Sequence, residues 1–117
     1  MKFLITENKL EQIVFKYLDN QDFIKIETRD RVYFVNHESD YVSQIRYDKT
    51  DGRCFLFYNL VEEIYRFFSI ELSNSERLIA KWVENTLQKQ ISFIKTTVLL
   101  TRIPRSQTGV DIQSGVQ

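Results

Sequence analysis

The sequence is poor in residues that interrupt or crosslink a chain. Its 117 residues include three Gly, one Pro, one Cys and one His. So little Gly and Pro excludes a low-complexity or disordered body. The lone Cys54 excludes an intramolecular disulfide and leaves a cysteine-based zinc cluster without a second thiolate. An excess of one charge is also missing, because 16 Lys and Arg balance 16 Asp and Glu. The signs are mixed along the body, which argues against the broad basic footprint of a protein that covers DNA or RNA. No apolar run approaches the roughly 20 residues of a membrane span. Glu7 interrupts the opening MKFLIT before a signal-peptide core forms. These absences predict no membrane partner, no secretion by a signal peptide, and a place in the cytoplasm or in an assembled particle. Neither GxGxxG nor a P-loop occurs: Gly52 is isolated, and Gly109 and Gly115 fall late in the chain. There is no internal repeat.

Aromatic residues are abundant, with nine Phe, six Tyr and one Trp. The length suits one hydrophobic core. A helix is expected over Glu7–Asp19, capped by Thr6, with Leu10, Ile13, Val14, Tyr17 and Leu18 on one face. Phe23–Thr28 and Arg31–Val35 read as strands around an Arg29-Asp30 turn, Ile24 and Ile26 sharing a face. A third strand is expected over Tyr41–Tyr47. Asp51-Gly52 marks a hairpin turn, because glycine tolerates the positive φ such turns require. Arg53–Tyr58 is the fourth strand, with Phe55 and Phe57 on one face and Cys54, Leu56 and Tyr58 on the other. Both faces are apolar, which predicts an interior strand.

Two helices follow. Asn59 with Glu62, and Ser73 with Glu76, have capping-box spacing. Ile79, Trp82, Val83 and Leu87 form the buried face of the second of these helices, which is expected to end near Gln90. The β-branched and hydroxyl residues of ISFIKTTVLLTRI favour an extended segment through Ile103. Such a strand closes the domain's own sheet or pairs with another subunit. The character changes near Arg102: Pro104 blocks regular pairing, and little in the last stretch can pack. The expected fold class is α+β: an N-terminal helix, an antiparallel sheet of three to five strands, two C-terminal helices and an extended C-terminal arm. Residues 1–103 form one domain in this reading, and 104–117 a flexible or partner-ordered tail.

No constellation specifies a reaction. His37 in VNHESDY has Glu38 and Asp40 nearby, but His-x-x-Asp supplies two ligands, and an exposed polar loop is the simpler reading. Asp30, Asp48 and Asp51 sit at turns, where carboxylates ordinarily serve turn formation. Cys54 reads as a buried thiol in a strand. Arg29, Arg31, Arg46 and Arg53 lie among Tyr33, Phe34, Tyr41, Tyr47, Phe55 and Tyr58, a composition that suits phosphate contact and base stacking. Acids interleave with them, which favours core packing instead.

The opening MKFLITENKLEQIV resembles the start of many small uncharacterised bacteriophage proteins. Ile5-Thr6-Glu7, Leu10 and Ile13 carry the resemblance, over about a tenth of the chain. It transfers no catalytic residue. It implies a phage-encoded structural or host-takeover protein. The sequence therefore predicts a non-enzymatic protein–protein interaction or assembly module without a cofactor or metal, in one version a virion component. Its location is then the host cytoplasm or the assembled virion. Phe93, Val98, Leu100, Arg102 and Arg105 are the candidate assembly residues. The alternative is a small nucleic-acid-binding regulator acting through Arg29, Arg31, Arg46 and Arg53.

Overall fold

The structure is a computed structural model and describes residues 7–36, 42–98 and 101–102. The chain begins with α1 (Glu7–Asp19), β1 (Ile24–Glu27) and β2 (Arg31–Val35). Then come β3 (Val42–Ser43), β4 (Ile45–Asp48), β5 (Arg53–Phe57), α2 (Tyr58–Phe68) and α3 (Leu72–Leu87). It closes with β6 (Phe93–Thr97) and β7 (Thr101–Arg102). The expected α+β class is found. Five strands form one sheet in the order β1-β2-β4-β5-β6, and β3 pairs with β7 in a short second sheet.

The first four strands of the large sheet are antiparallel, as alternation and turn residues lead one to expect. The fifth runs parallel to β5, so the sheet is mixed. A parallel neighbour needs a crossover connection, and α2 with α3 supplies it. That connection fixes the layering. Val32, Phe34, Ile45, Tyr47, Cys54 and Leu56 project from one face of the sheet into the main core. There they meet Val14 and Leu18 of α1, Leu60, Val61 and Ile64 of α2, and Leu78, Ile79, Trp82 and Val83 of α3. All three helices thus lie on one side. On the other side Ile26, Tyr33 and Val35 are buried as a separate small cluster, with Ile24 against it.

The helices follow their apolar stripes, with adjustments. In α1 the positions 10, 14 and 18 recur at i, i+4 spacing and face the core, whereas Ile13 is half-exposed and Phe15 packs inward. Trp82 Nε1 donates to Asp19 Oδ1 at 2.9 Å, and Lys81 Nζ to Glu11 Oε1 at 3.0 Å, tying α3 to α1. Thr6, the expected cap of α1, lies outside the described residues. The other two expected caps are not used. α2 starts at Tyr58 with Phe57 as its N-cap, and α3 starts at Leu72 with Glu71 as its N-cap, neither with a side-chain capping bond. For α2 the reason is continuity: β5 runs into the helix with no loop in which Asn59 could cap. For α3 the helix begins one residue earlier, at Leu72, so Ser73 already lies inside it. The helix ends at Leu87 rather than Gln90, with Gln88 left-handed at φ 56°.

The expected third strand is broken at Gln44 into β3 and β4. Gln44 N–H donates to the Phe34 carbonyl at 2.8 Å, while its own carbonyl accepts from Phe57 N–H at 2.9 Å. Tyr41 lies outside the described residues. Gly52 adopts φ 78° in the β4–β5 turn. Its N–H donates to the Asp48 carbonyl at 2.9 Å, and its carbonyl accepts from Ser92 N–H at 2.8 Å. The same turn that reverses the chain therefore anchors the approach to β6. A Cβ there would lie 3.2 Å from Ser92 Oγ and 3.3 Å from the Gln90 carbonyl oxygen.

Candidate functional site

Among the described residues, those that resemble catalytic groups do not converge. Cys54 is fully buried on the helix side of β5, and burial pushes its thiol up to about 12. A nucleophilic thiol needs the opposite, an accessible group with a lowered pKa. His37 lies outside the described residues. Among the described residues no three His, Cys, Asp or Glu side chains are grouped as metal ligands. Asp51 accepts from Arg53 N–H at 3.1 Å, an ordinary turn contact. A cleft of about 570 Å³ opens where the α1–β1 connection meets the sheet. Its polar lining includes Gln21, Asp22, Asn36, Gln44 and Glu63. Tyr17 donates to Glu63 at 2.8 Å, and burial with this bond raises the phenol to about 12.

Two surfaces remain. The first is the β6 edge. β6 pairs with β5 on one side, and no strand flanks its other side among the described residues. Its alternation places Ile94 and Thr96 toward the helices: Ile94 packs on the core, and Thr96 donates to Glu76 of α3 at 2.5 Å. Phe93, Lys95 and Thr97 project to the helix-free side. Phe93 is 52% exposed and Val98, just past the strand, is 73% exposed. Of the expected assembly residues, these two are thus accessible, one at the start of β6 and one just past its end. Arg102 pairs with Val42 through the backbone in the β3–β7 sheet. Leu100 and Arg105 lie outside the described residues.

The second surface is the helix-free face of the sheet. The register sets Tyr33, Arg46, Phe55 and Lys95 side by side across four strands. In the next rank Arg31 stands opposite Asp48, and Arg53 opposite Phe93. Asp48 organises the rank. Its Oδ1 accepts from Arg46 Nε at 3.0 Å and its Oδ2 from Arg46 Nη2 at 3.1 Å, while Arg31 Nε lies 3.3 Å from Oδ1. The guanidinium of Arg46 sits 4.3 Å from the Phe55 ring centroid. Arg53 pairs with Asp51 at 3.3 Å. A hydrogen bond to the Tyr33 hydroxyl, aided by the Asp48 charge, raises the Arg31 pKa further.

Three of the four expected arginines are therefore gathered on one face, while Arg29 is exposed at the β1–β2 turn. Of the aromatic residues expected beside them, Tyr33 and Phe55 stand on it, Tyr33 fully buried, whereas Phe34 and Tyr47 belong to the helix-side core and Tyr58 opens α2. Tyr41 lies outside the described residues. Beside the expected Phe55 the face carries Phe57 and Phe93, and none of the three packs into either core cluster. Asp48, Phe57 and Lys95 were not read as members of this face from sequence. The i, i+2 parity of Arg46 with Asp48, and of Arg53 with Phe55 and Phe57, was the available signal.

No described helix is long and apolar enough to cross a membrane. No family model, no curated protein and no solved structure matches the chain.

Proposed function

We propose that the protein is a non-enzymatic protein–protein interaction or assembly module whose contact is the β6 edge of its sheet. The observation that supports this reading is the conjunction of an edge with no flanking strand among the described residues and two exposed apolar side chains, Phe93 at the start of β6 and Val98 just past its end. An edge strand offers unpaired backbone donors and acceptors to another chain, and exposed apolar side chains beside them strengthen such pairing. The opposite edge, β1, exposes Lys25 and Glu27 and is the better protected of the two. Self-association is the simplest form of the module. A virion component is the version favoured by the phage-like opening.

Light scattering on the full-length protein over a wide concentration range tests the reading. The expected result is a mass above one chain that falls to one chain when Phe93→Ser and Val98→Ser are combined, with the circular dichroism spectrum unchanged. A wild-type mass of one chain throughout, or an oligomer indifferent to both substitutions, would count against the β6 edge.

A further inference from the structure

We infer that the helix-free face of β2, β4, β5 and β6 is a docking surface for a single-stranded nucleic acid. The argument rests on charge and on what lies between the charges. Arg31, Arg46, Arg53 and Lys95 project from this face against the carboxylates Asp48 and Asp51, so cations outnumber anions by two on a chain with no net charge. Lys95 has no ion-pair partner among the described residues. A polyanion gains from such a local surplus even where the whole molecule is neutral.

The aromatic residues choose among polyanions and against a protein. Phe55 stands between Arg46 and Lys95, and Phe93 stands opposite Arg53, so these two rings alternate with the cations. The buried centre of a protein–protein contact is depleted of charge, whereas alternating aromatic and cationic groups suit bases and phosphates in succession. Asp48 holds Arg46 over Phe55 through two hydrogen bonds, so a cation–aromatic pair is already in place before any ligand arrives. A flat strand surface has no helix or ribbon to insert into a groove, and stacking requires unpaired bases. Both points favour a single strand over a duplex. This surface shares Phe93 with the edge contact, but its cations Arg46, Arg53 and Lys95 are untouched by the edge variants, so the two tests are read on different residues.

Fluorescence anisotropy with a labelled oligothymidylate, read at low protein concentration, tests the inference. Three phosphate contacts predict affinity falling by roughly 20-fold between about 50 and about 200 mM salt. Arg53→Glu combined with Lys95→Glu should weaken binding at least tenfold. Lys25→Glu, the same kind of charge reversal at the far edge of the sheet, should change it by less than about twofold. A duplex of equal length should bind more weakly than the single strand. No binding at the lower salt, equal losses from Lys25→Glu, or a duplex that binds as well as the single strand would each overturn the proposal. Circular dichroism of every variant separates a lost surface from a lost fold.

Discussion

Asp48 shows how much a single carboxylate can organise. It is largely buried, yet it accepts two hydrogen bonds from Arg46 and pairs with Arg31, and it thereby sets the position of Arg46 over Phe55. Two guanidiniums on one carboxylate would repel each other if the carboxylate were neutral. Asp48→Asn keeps the shape and removes the charge. The arginine side chains stay partly exposed, at 41% and 20%, so water screens part of the repulsion and the cost falls below that of breaking a fully buried pair. We expect a loss of about 1–2 kcal/mol in urea unfolding at neutral pH, with the loss shrinking when Arg31 is also replaced by Gln. A full, undiminished loss in the double variant would mean that the carboxylate acts through something other than these cations.

At the scale of elements, the fold was legible wherever one local rule settled the matter. The α1 boundaries follow from its stripe of apolar residues, the β1–β2 hairpin from alternation around Arg29-Asp30, and the β4–β5 turn from Gly52. The interior place of β5 follows from its two apolar faces. What failed were signals with several local readings. Capping-box spacing at Asn59 and Ser73 is a pattern of side chains, but the position of the cap depends on where the preceding chain arrives, which is a tertiary fact. The parallel sense of β6 depends on the α2–α3 crossover and leaves no local mark. The basic face was legible only in part, because pairing register across strands decides which arginines meet. The uncapped start of α3 carries a consequence. Glu71 occupies the N-cap in an extended conformation, at φ −72° and ψ 155°, and makes no capping bond. A Ser hydroxyl there can accept from a free backbone N–H of the first turn. Glu71→Ser should therefore stabilise the protein by about 0.5–1 kcal/mol, read as a rise in the urea midpoint. Ser73→Ala should leave that midpoint nearly unchanged, since Ser73 does not cap.

The burial of Cys54 belongs to the molecule as a whole. The residue lies on β5 between β4 and β6, beneath the layer that all three helices share. Every layer must be in place for its thiol to be fully enclosed, so its titration reports on global integrity. Burial raises its pKa from an ordinary 9.0 to about 12. The native state then keeps a proton that the unfolded chain releases as the pH passes 9. Below that value the thiol contributes its full share of stability, and between pH 9 and about 12 the share is lost, at up to about 1.4 kcal/mol per pH unit. Burial likewise raises the phenols of Tyr17 and Tyr47, so alkaline destabilisation steepens further above their ordinary value of 10.0. Cys54→Ala isolates the thiol from the phenols. Removing the sulfur leaves a small void costing about 1 kcal/mol at neutral pH. The variant should therefore be the less stable protein at pH 7. Because it has no thiol to ionise, its stability should fall more slowly above pH 9, and the two curves should cross before about pH 11. Urea unfolding of both proteins across that range checks the sign. Parallel curves would mean that solvent reaches Cys54 in the folded protein, and that the sheet and the helical layer do not close over it.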